Sequence, residues 1–253
     1  MSYLSEVLAD VPLHYWRMAD PGGSLCHDIG STPLHARGVG GVPVLGYSGI
    51  ASDSGSLDLS LDGQYVNTGI PTPTPVNPVS LECWVWIFQR PGGNSAMLQP
   101  RYPNQMGLVR LTGNWSFIYN DVSVPAVTLP TAQVWHHLVG TYDGTNARLY
   151  VDSILEATAA VAAMASASEI VEIGSRAALD IFGTCFIAEV AIYGSTLSPA
   201  RITAHFLAAD NRGASPVFSQ AGVAPGGGGS GGASVSQELA DIRNAVYRTL
   251  TTH

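Results

Sequence analysis

The segment from Trp135 to Ser153, WHHLVGTYDGTNARLYVDS, constrains the fold more than any other stretch of the chain. Two runs rich in Val, Leu, Tyr and Thr flank Asp143-Gly144-Thr145-Asn146, a cluster that supplies the positive φ and the Asx geometry of a tight reversal. The spacing predicts one β-hairpin. Ser80 to Ile87 has the same period of two, with Leu81, Cys83, Val85 and Ile87 on one face and Glu82, Trp84 and Trp86 on the other. Short runs of this kind recur between Gly, Pro, Asn and Asp clusters, which predicts an antiparallel sandwich rather than a parallel sheet alternating with helices. With 253 residues and 46% hydrophobic content, the chain can close one large core without cross-links.

Four further motifs accompany the hairpin. They are Leu13-His14-Tyr15-Trp16-Arg17-Met18-Ala19-Asp20, Leu61-Asp62-Gly63-Gln64-Tyr65-Val66, the Ser-x-Glu-x-Trp-Val strand within Val79 to Ile87, and Phe186 to Tyr193 followed by Leu197-Ser198-Pro199-Ala200-Arg201-Ile202. In this order, over residues 3 to 209, they resemble the laminin-G-like, concanavalin-A-type jelly-roll domains. The resemblance implies an all-β antiparallel jelly-roll β-sandwich over 1–212. It departs from the family pattern at Asp152-Ser153, where relatives often carry Asp-Gly. Helical signals in this body are confined to Ser5 to Asp10 and the segment after Ser198, which suits an N-cap with Pro199 in the first turn. Ile202, Phe206 and Leu207 are expected on the packed face of that second helix.

The formal charge is −8, and 12% of residues are charged. No run of basic residues offers a phosphate footprint, so nucleic acid is not an expected partner. All eleven basic residues are Arg, a codon signature that points to a bacterial or phage source. Cys83 and Cys185 fall on apolar strand positions and read as buried thiols, whereas Cys26-His27-Asp28 reads as a solvent-facing loop. Neither an export signal nor a membrane span is expected from the sequence. Laminin-G-like domains commonly work outside cells, and a bacteriophage virion protein, made in the cytoplasm and released by lysis, reconciles the two observations.

After Gly213 the chain thins into a Gly/Ser/Pro-rich stretch over 213–233, read as a flexible linker. Residues 234–253 then carry a helical stripe of Val235, Leu239, Ile242, Val246 and Leu250. A lone helix of that length is unstable in water, so it is read as an anchoring or oligomerisation element. Copies of itself, with a trimer among the options, or a groove on another virion protein would serve as the partner. An unstructured tail is the alternative.

The Glu-x-Asp-x-x-Glu strand of hydrolase relatives is absent, and no pair of carboxylates is placed to flank one glycosidic bond. No enzymatic activity is expected, and no metal or cofactor, calcium included, is supported by a local motif. A glycan site is sought instead in Arg101, Tyr102 and Asn104 of the long loop, with Trp115, Tyr119 and Asp121 beyond it. The aromatic pair is open to two readings, stacking platform or core. The resulting expectation is a non-enzymatic virion component, a tail or tail-tip adhesin presenting its jelly roll to host-surface glycans. Capsid decoration or a head fibre is the near alternative, and a secreted or cell-surface bacterial lectin the alternative of another class.

Overall fold

The computed structural model describes residues 2–21, 24–39, 44–59, 64–71, 77–88, 94–100, 106–164, 170–175 and 185–217. In chain order the elements are α1 (Tyr3–Ala9), β1 (His14–Trp16), β2 (Leu25–Cys26), β3 (Ala36–Val39), β4 (Val44–Ser48), β5 (Gly55–Asp58), β6 (Tyr65–Pro71), β7 (Val79–Ile87) and β8 (Ser95–Pro100). There follow β9 (Met106–Leu111), β10 (Asn114–Tyr119), β11 (Val122–Pro125), β12 (Trp135–Tyr142), β13 (Asn146–Val151), β14 (Ile154–Ala160), β15 (Ile170–Ile173), β16 (Cys185–Tyr193) and α2 (Pro199–Ala208). The linker beyond Val217 and the stripe from Val235 to Leu250 lie outside the described residues.

The expected hairpin is β12 and β13. Asp143 Oδ1 accepts from the backbone N–H of Thr145 (2.9 Å) and Asn146 (2.8 Å), and Gly144 takes φ 100°. The next reversal places Asp152 and Ser153 at φ 50° and 68°, so the serine holds the left-handed position that relatives often give to glycine. Two antiparallel sheets result. One runs β14-β13-β12-β7-β16-β5-β4 with β1 also on β16, and the other runs β11-β10-β9-β8-β15-β6-β3-β2.

Leu81, Cys83, Val85 and Ile87 of β7 share one core cluster with Leu98, Leu108, Phe117 and Ile173 of the second sheet. The sheets approach so closely that a Cβ on Gly140 would fall 2.3 Å from the Phe117 ring. The opposite face of β7 is buried too. Trp84 and Trp86 join Tyr3, Val7, Val139, Tyr193 and Ile202 in a second cluster under α1 and α2. The first sheet is therefore covered on both faces.

Glu82 lies within that second layer and is fully buried. Four side chains donate to its carboxylate: Tyr3 Oη (2.6 Å), Tyr193 Oη (2.6 Å), His137 Nε2 (2.7 Å) and His205 Nδ1 (3.0 Å). They come from α1, β16, β12 and α2, so one carboxylate ties both helices to the sheet. Burial alone would raise its pKa, but the His205 charge and the histidine hydrogen bonds hold it well below the usual carboxylate range. His205 Nε2 meets Asp10 Oδ2 at 2.9 Å and the Glu6 carbonyl at 3.2 Å. With acceptors at both ring nitrogens, the ring must be an imidazolium to donate to both. Arg201 completes the helix junction through Glu6 (2.8 Å) and Asp10 (2.9 Å).

Two expectations are corrected here. Leu207 is 65% exposed, and His205, fully buried, takes the inward position on α2 beside Ile202. The 26–28 segment is also not a solvent-facing loop. Cys26 is in the core and Asp28 is buried, accepting from His14 Nδ1 (2.8 Å) and from the N–H groups of Tyr15 (2.8 Å), Gly30 (2.8 Å) and Leu34 (2.7 Å). Burial pushes the Asp28 carboxyl up, but these donors bring it below its ordinary value of 3.8. Only His27 of the three is exposed, paired with Asp20 and packed edge-on to His35. All three cysteines are buried and free.

Burial would lower the pKa of His205, but Glu82 and Asp10 raise it from 6.5 to about 8. The folded chain thus holds this proton more tightly than the unfolded chain. The stabilisation is complete below pH 6.5 and is lost as pH rises through about 8. Denaturant titrations across that window should show a fall of about 2 kcal/mol. In Glu82→Gln the fall should shrink, since Asp10 alone then favours the imidazolium, and overall stability should drop by about 3–5 kcal/mol because a buried charge partner is gone.

Candidate functional site

Of the residues expected to bind a ligand, the described ones do not share one surface. Trp115 and Tyr119 are 1% and 0% exposed, inside the inter-sheet core with Phe117. Tyr119 stacks on Tyr142 at 3.8 Å, and Trp115 meets the His136 ring edge-on at 6.0 Å. Both belong to the core, which removes them as a stacking platform. Asp121 is exposed in the turn between β10 and β11, where it and Asn120 have φ 63° and 47°. That turn geometry accounts for the Asn-Asp pair without a ligand. Arg101, Tyr102 and Asn104 lie outside the described residues.

The alternation that turns Trp115 inward defines what turns outward. Ala36, Val66, Val171, Ile173, Leu98 and Leu108 all contribute to the core, so Arg37, Asn67, Glu172, Gln99 and Gly107 project from the outer face of the second sheet. The register aligns them. Arg37 pairs with Asn67, Asn67 with Glu172, and Glu172 with Gln99. Gln99 lies over Gly107, where an added Cβ would come within 2.9 Å of Gln99 Cγ. A polar row thus crosses β3, β6, β15, β8 and β9.

Arg37 is exposed and Asn67 half-buried, whereas Gln99 and Glu172 are 2% and 0% exposed. Gln99 Nε2 has no hydrogen-bond partner. On the same face Ala96, Val109 and Ile118 form a small apolar cluster with Leu111, next to the unpartnered Ser116 Oγ. Amide and carboxylate groups beside an apolar strip suit a polyhydroxylated ligand, but Gln99, Glu172, Ala96, Val109 and Ile118 are all buried, so the accessible end of the row is Arg37 and Asn67. Sequence reading missed this row because its members come from five strands and none stands in a local motif.

The other buried carboxylates suit structural roles. A bulge in β16 gives Glu189 φ 51° and turns it toward Tyr15 Oη, which donates to it, and Arg17 Nη2 at 3.1 Å. Burial raises the Glu189 pKa, prevailing over Arg17 and Tyr15. Adjacent in β12, His136 and His137 point to opposite faces; His136 Nδ1 contacts Asp152 Oδ2 at 2.8 Å, and His137 serves Glu82. Among the described residues no group of three or more His, Cys, Asp or Glu side chains is placed to hold a metal ion, and no helix is long and apolar enough to cross a membrane.

Two antiparallel sheets, one doubly covered and one with a polar outer row, define a jelly-roll sandwich domain. Residues 60–203 match the laminin-G family model described as the concanavalin A-like lectin/glucanases superfamily. The chain belongs to that family. No curated protein is matched by sequence. Among solved structures, the chain is similar to Trypanosoma rangeli sialidase in complex with sialic acid, with TM-score 0.60 and 17% identity over 80% of this chain and 34% of that one. It thus spans about a third of the sialidase's length. Domain 4 of AbnA, a GH43 extracellular arabinanase from Geobacillus stearothermophilus, in complex with arabinotriose, gives TM-score 0.60 and 18% identity over 77% and 97%. The receptor binding domain of botulinum neurotoxin mosaic serotype C/D gives 0.60 and 13% over 78% and 51%. At these identities the likeness shows the fold.

Trp115→Ala should lower unfolding free energy by about 3–5 kcal/mol, the scale for emptying a large aromatic site. Chemical denaturation measures this directly, and a variant as stable as wild type would place the indole outside the core.

Proposed function

We propose that the sandwich is a non-enzymatic glycan-recognition head whose ligand lies across the outer face of the second sheet. The observation that carries this reading is the aligned row Arg37, Asn67, Glu172 and Gln99 beside the Ala96, Val109 and Ile118 strip. Hydroxyl groups of a saccharide would bond to Arg37 and Asn67 at the accessible end of the row. The AbnA domain, which the chain covers almost entirely, holds arabinotriose on the same fold. A non-enzymatic role is favoured because Glu82 and Glu189 are buried and committed to structural donors.

The absence of lysine favours a bacterial or phage source, and the glycine-rich tract with the apolar stripe of 234–253 favours a displayed head. We place it on a bacteriophage particle as a tail or tail-tip adhesin, anchored through that stripe to itself or to another virion protein. A flexible tract of about twenty residues spans roughly 25 Å, enough for the head to reorient.

Calorimetric titration of the full chain with arabino-oligosaccharides, sialylated oligosaccharides and host-envelope polysaccharides tests the site. Arg37→Ala and Asn67→Ala should each weaken binding about tenfold, the loss of one or two hydrogen bonds, with little change in Tm. Absence of binding throughout the panel would refute the glycan reading. Deleting 234–253 from the gene should abolish incorporation into particles while the head still folds; incorporation at wild-type occupancy would move the anchor into the sandwich.

A further inference from the structure

Between the sheets, away from the polar row, stands a cation that has no acidic partner among the described residues. Arg110 follows Met106 and Leu108 on the inward face of β9, directly across from Trp115 on one side and Ser95 on the other. It is 3% exposed. Nη2 donates to Ser95 Oγ at 2.8 Å, while Nε and Nη1 have no hydrogen-bond partner. The indole Nε1 of Trp115 is likewise buried and unpartnered. This cross-strand pair therefore carries three idle N–H nitrogens, all donors.

No acidic side chain among the described residues answers the charge. The titratable group that acts on Arg110 is the Cys185 thiol. Burial pushes that thiol up to about 12, so it is neutral and offers no compensation. A desolvated guanidinium with unused donors is destabilising unless an anion meets it. Nη2 has a second hydrogen and Ser95 a hydroxyl hydrogen to give, so donors remain on either edge of the planar fork.

We propose that Arg110, with Ser95 and the Trp115 indole, holds a small monoanion of halide or carboxylate type between the two sheets. The site is independent of the glycan face, because Arg110 and Gln99 project to opposite sides of the same sheet. Such an anion would neutralise the guanidinium and satisfy donors at one end of the core. The ligand would come either from solution as a free ion or as the carboxylate of an acidic ligand.

The full chain, exchanged into the salt of a bulky sulfonate at constant ionic strength, is titrated separately with bromide and acetate while Tm is followed. At an anion concentration about 100 times Kd, Tm should rise by roughly 5–10 °C and then change only slowly. A response to both anions, or to bromide alone, indicates a free-ion site, and a response to acetate alone indicates a carboxylate reader. Crystals grown with bromide should show an anomalous peak within hydrogen-bonding distance of Arg110. Arg110→Met should lose the rise, and Trp115→Phe, which keeps the aromatic volume, should weaken the anion several-fold. Equal Tm values in bromide, acetate and the bulky sulfonate, bromide peaks at the surface only, or an undiminished rise in Arg110→Met would each overturn the proposal. The wild-type titration and the bromide crystal decide the matter even if Arg110→Met does not fold.

Discussion

A single buried carboxylate organises the covered side of this protein. Glu82 leaves water completely, which would be prohibitive without compensation, and four donors from four different elements supply it. Trp84 reinforces the arrangement by donating its indole N–H to Tyr3 Oη at 2.9 Å. Because His205 bridges Glu82 and Asp10, α1 and α2 are locked to each other as well as to the sheet. Apolar burial would fasten these helices at many neighbouring positions; a carboxylate held by four directional donors selects one.

The covering of the first sheet directs function to the second. With α1 and α2 over β7, β12 and β16, both faces of those strands are closed. On the outer face of the second sheet the register aligns Arg37, Asn67, Glu172 and Gln99 into one row that runs from exposed Arg37 to buried Gln99. The same pleat that sends these groups outward sends Arg110 and Trp115 inward. One sheet thereby carries two unlike polar environments, a row of hydrogen-bonding groups outside and a charge within the core.

The comparison of Glu82 with Glu189 shows how local geometry sets chemistry. Both are fully buried glutamates on the first sheet. Glu82 faces an imidazolium and three further donors and is held in its charged form. Glu189, lifted by its bulge toward Tyr15 and Arg17, has its pKa raised because desolvation outweighs its partners. Neither outcome follows from residue type.

The local code was legible in full where neighbouring residues settle it. Asp143-Gly144 specifies its turn through φ and an Asx bond, the period of two in β7 separates Leu81 from Glu82, and Ser198-Pro199 begins α2. Those signals, with the family motifs, determined the sandwich and its order. They did not determine which side of each strand would meet water, since a pleat alternates without naming its partner. Trp115 and Tyr119 are core because another sheet lies on them, His205 is inward and Leu207 outward because Glu82 needs a donor, and the row from Arg37 to Gln99 exists because four strands pair in one register. Each of these depends on groups far apart in the chain, and long-range pairing is what only the tertiary structure supplies.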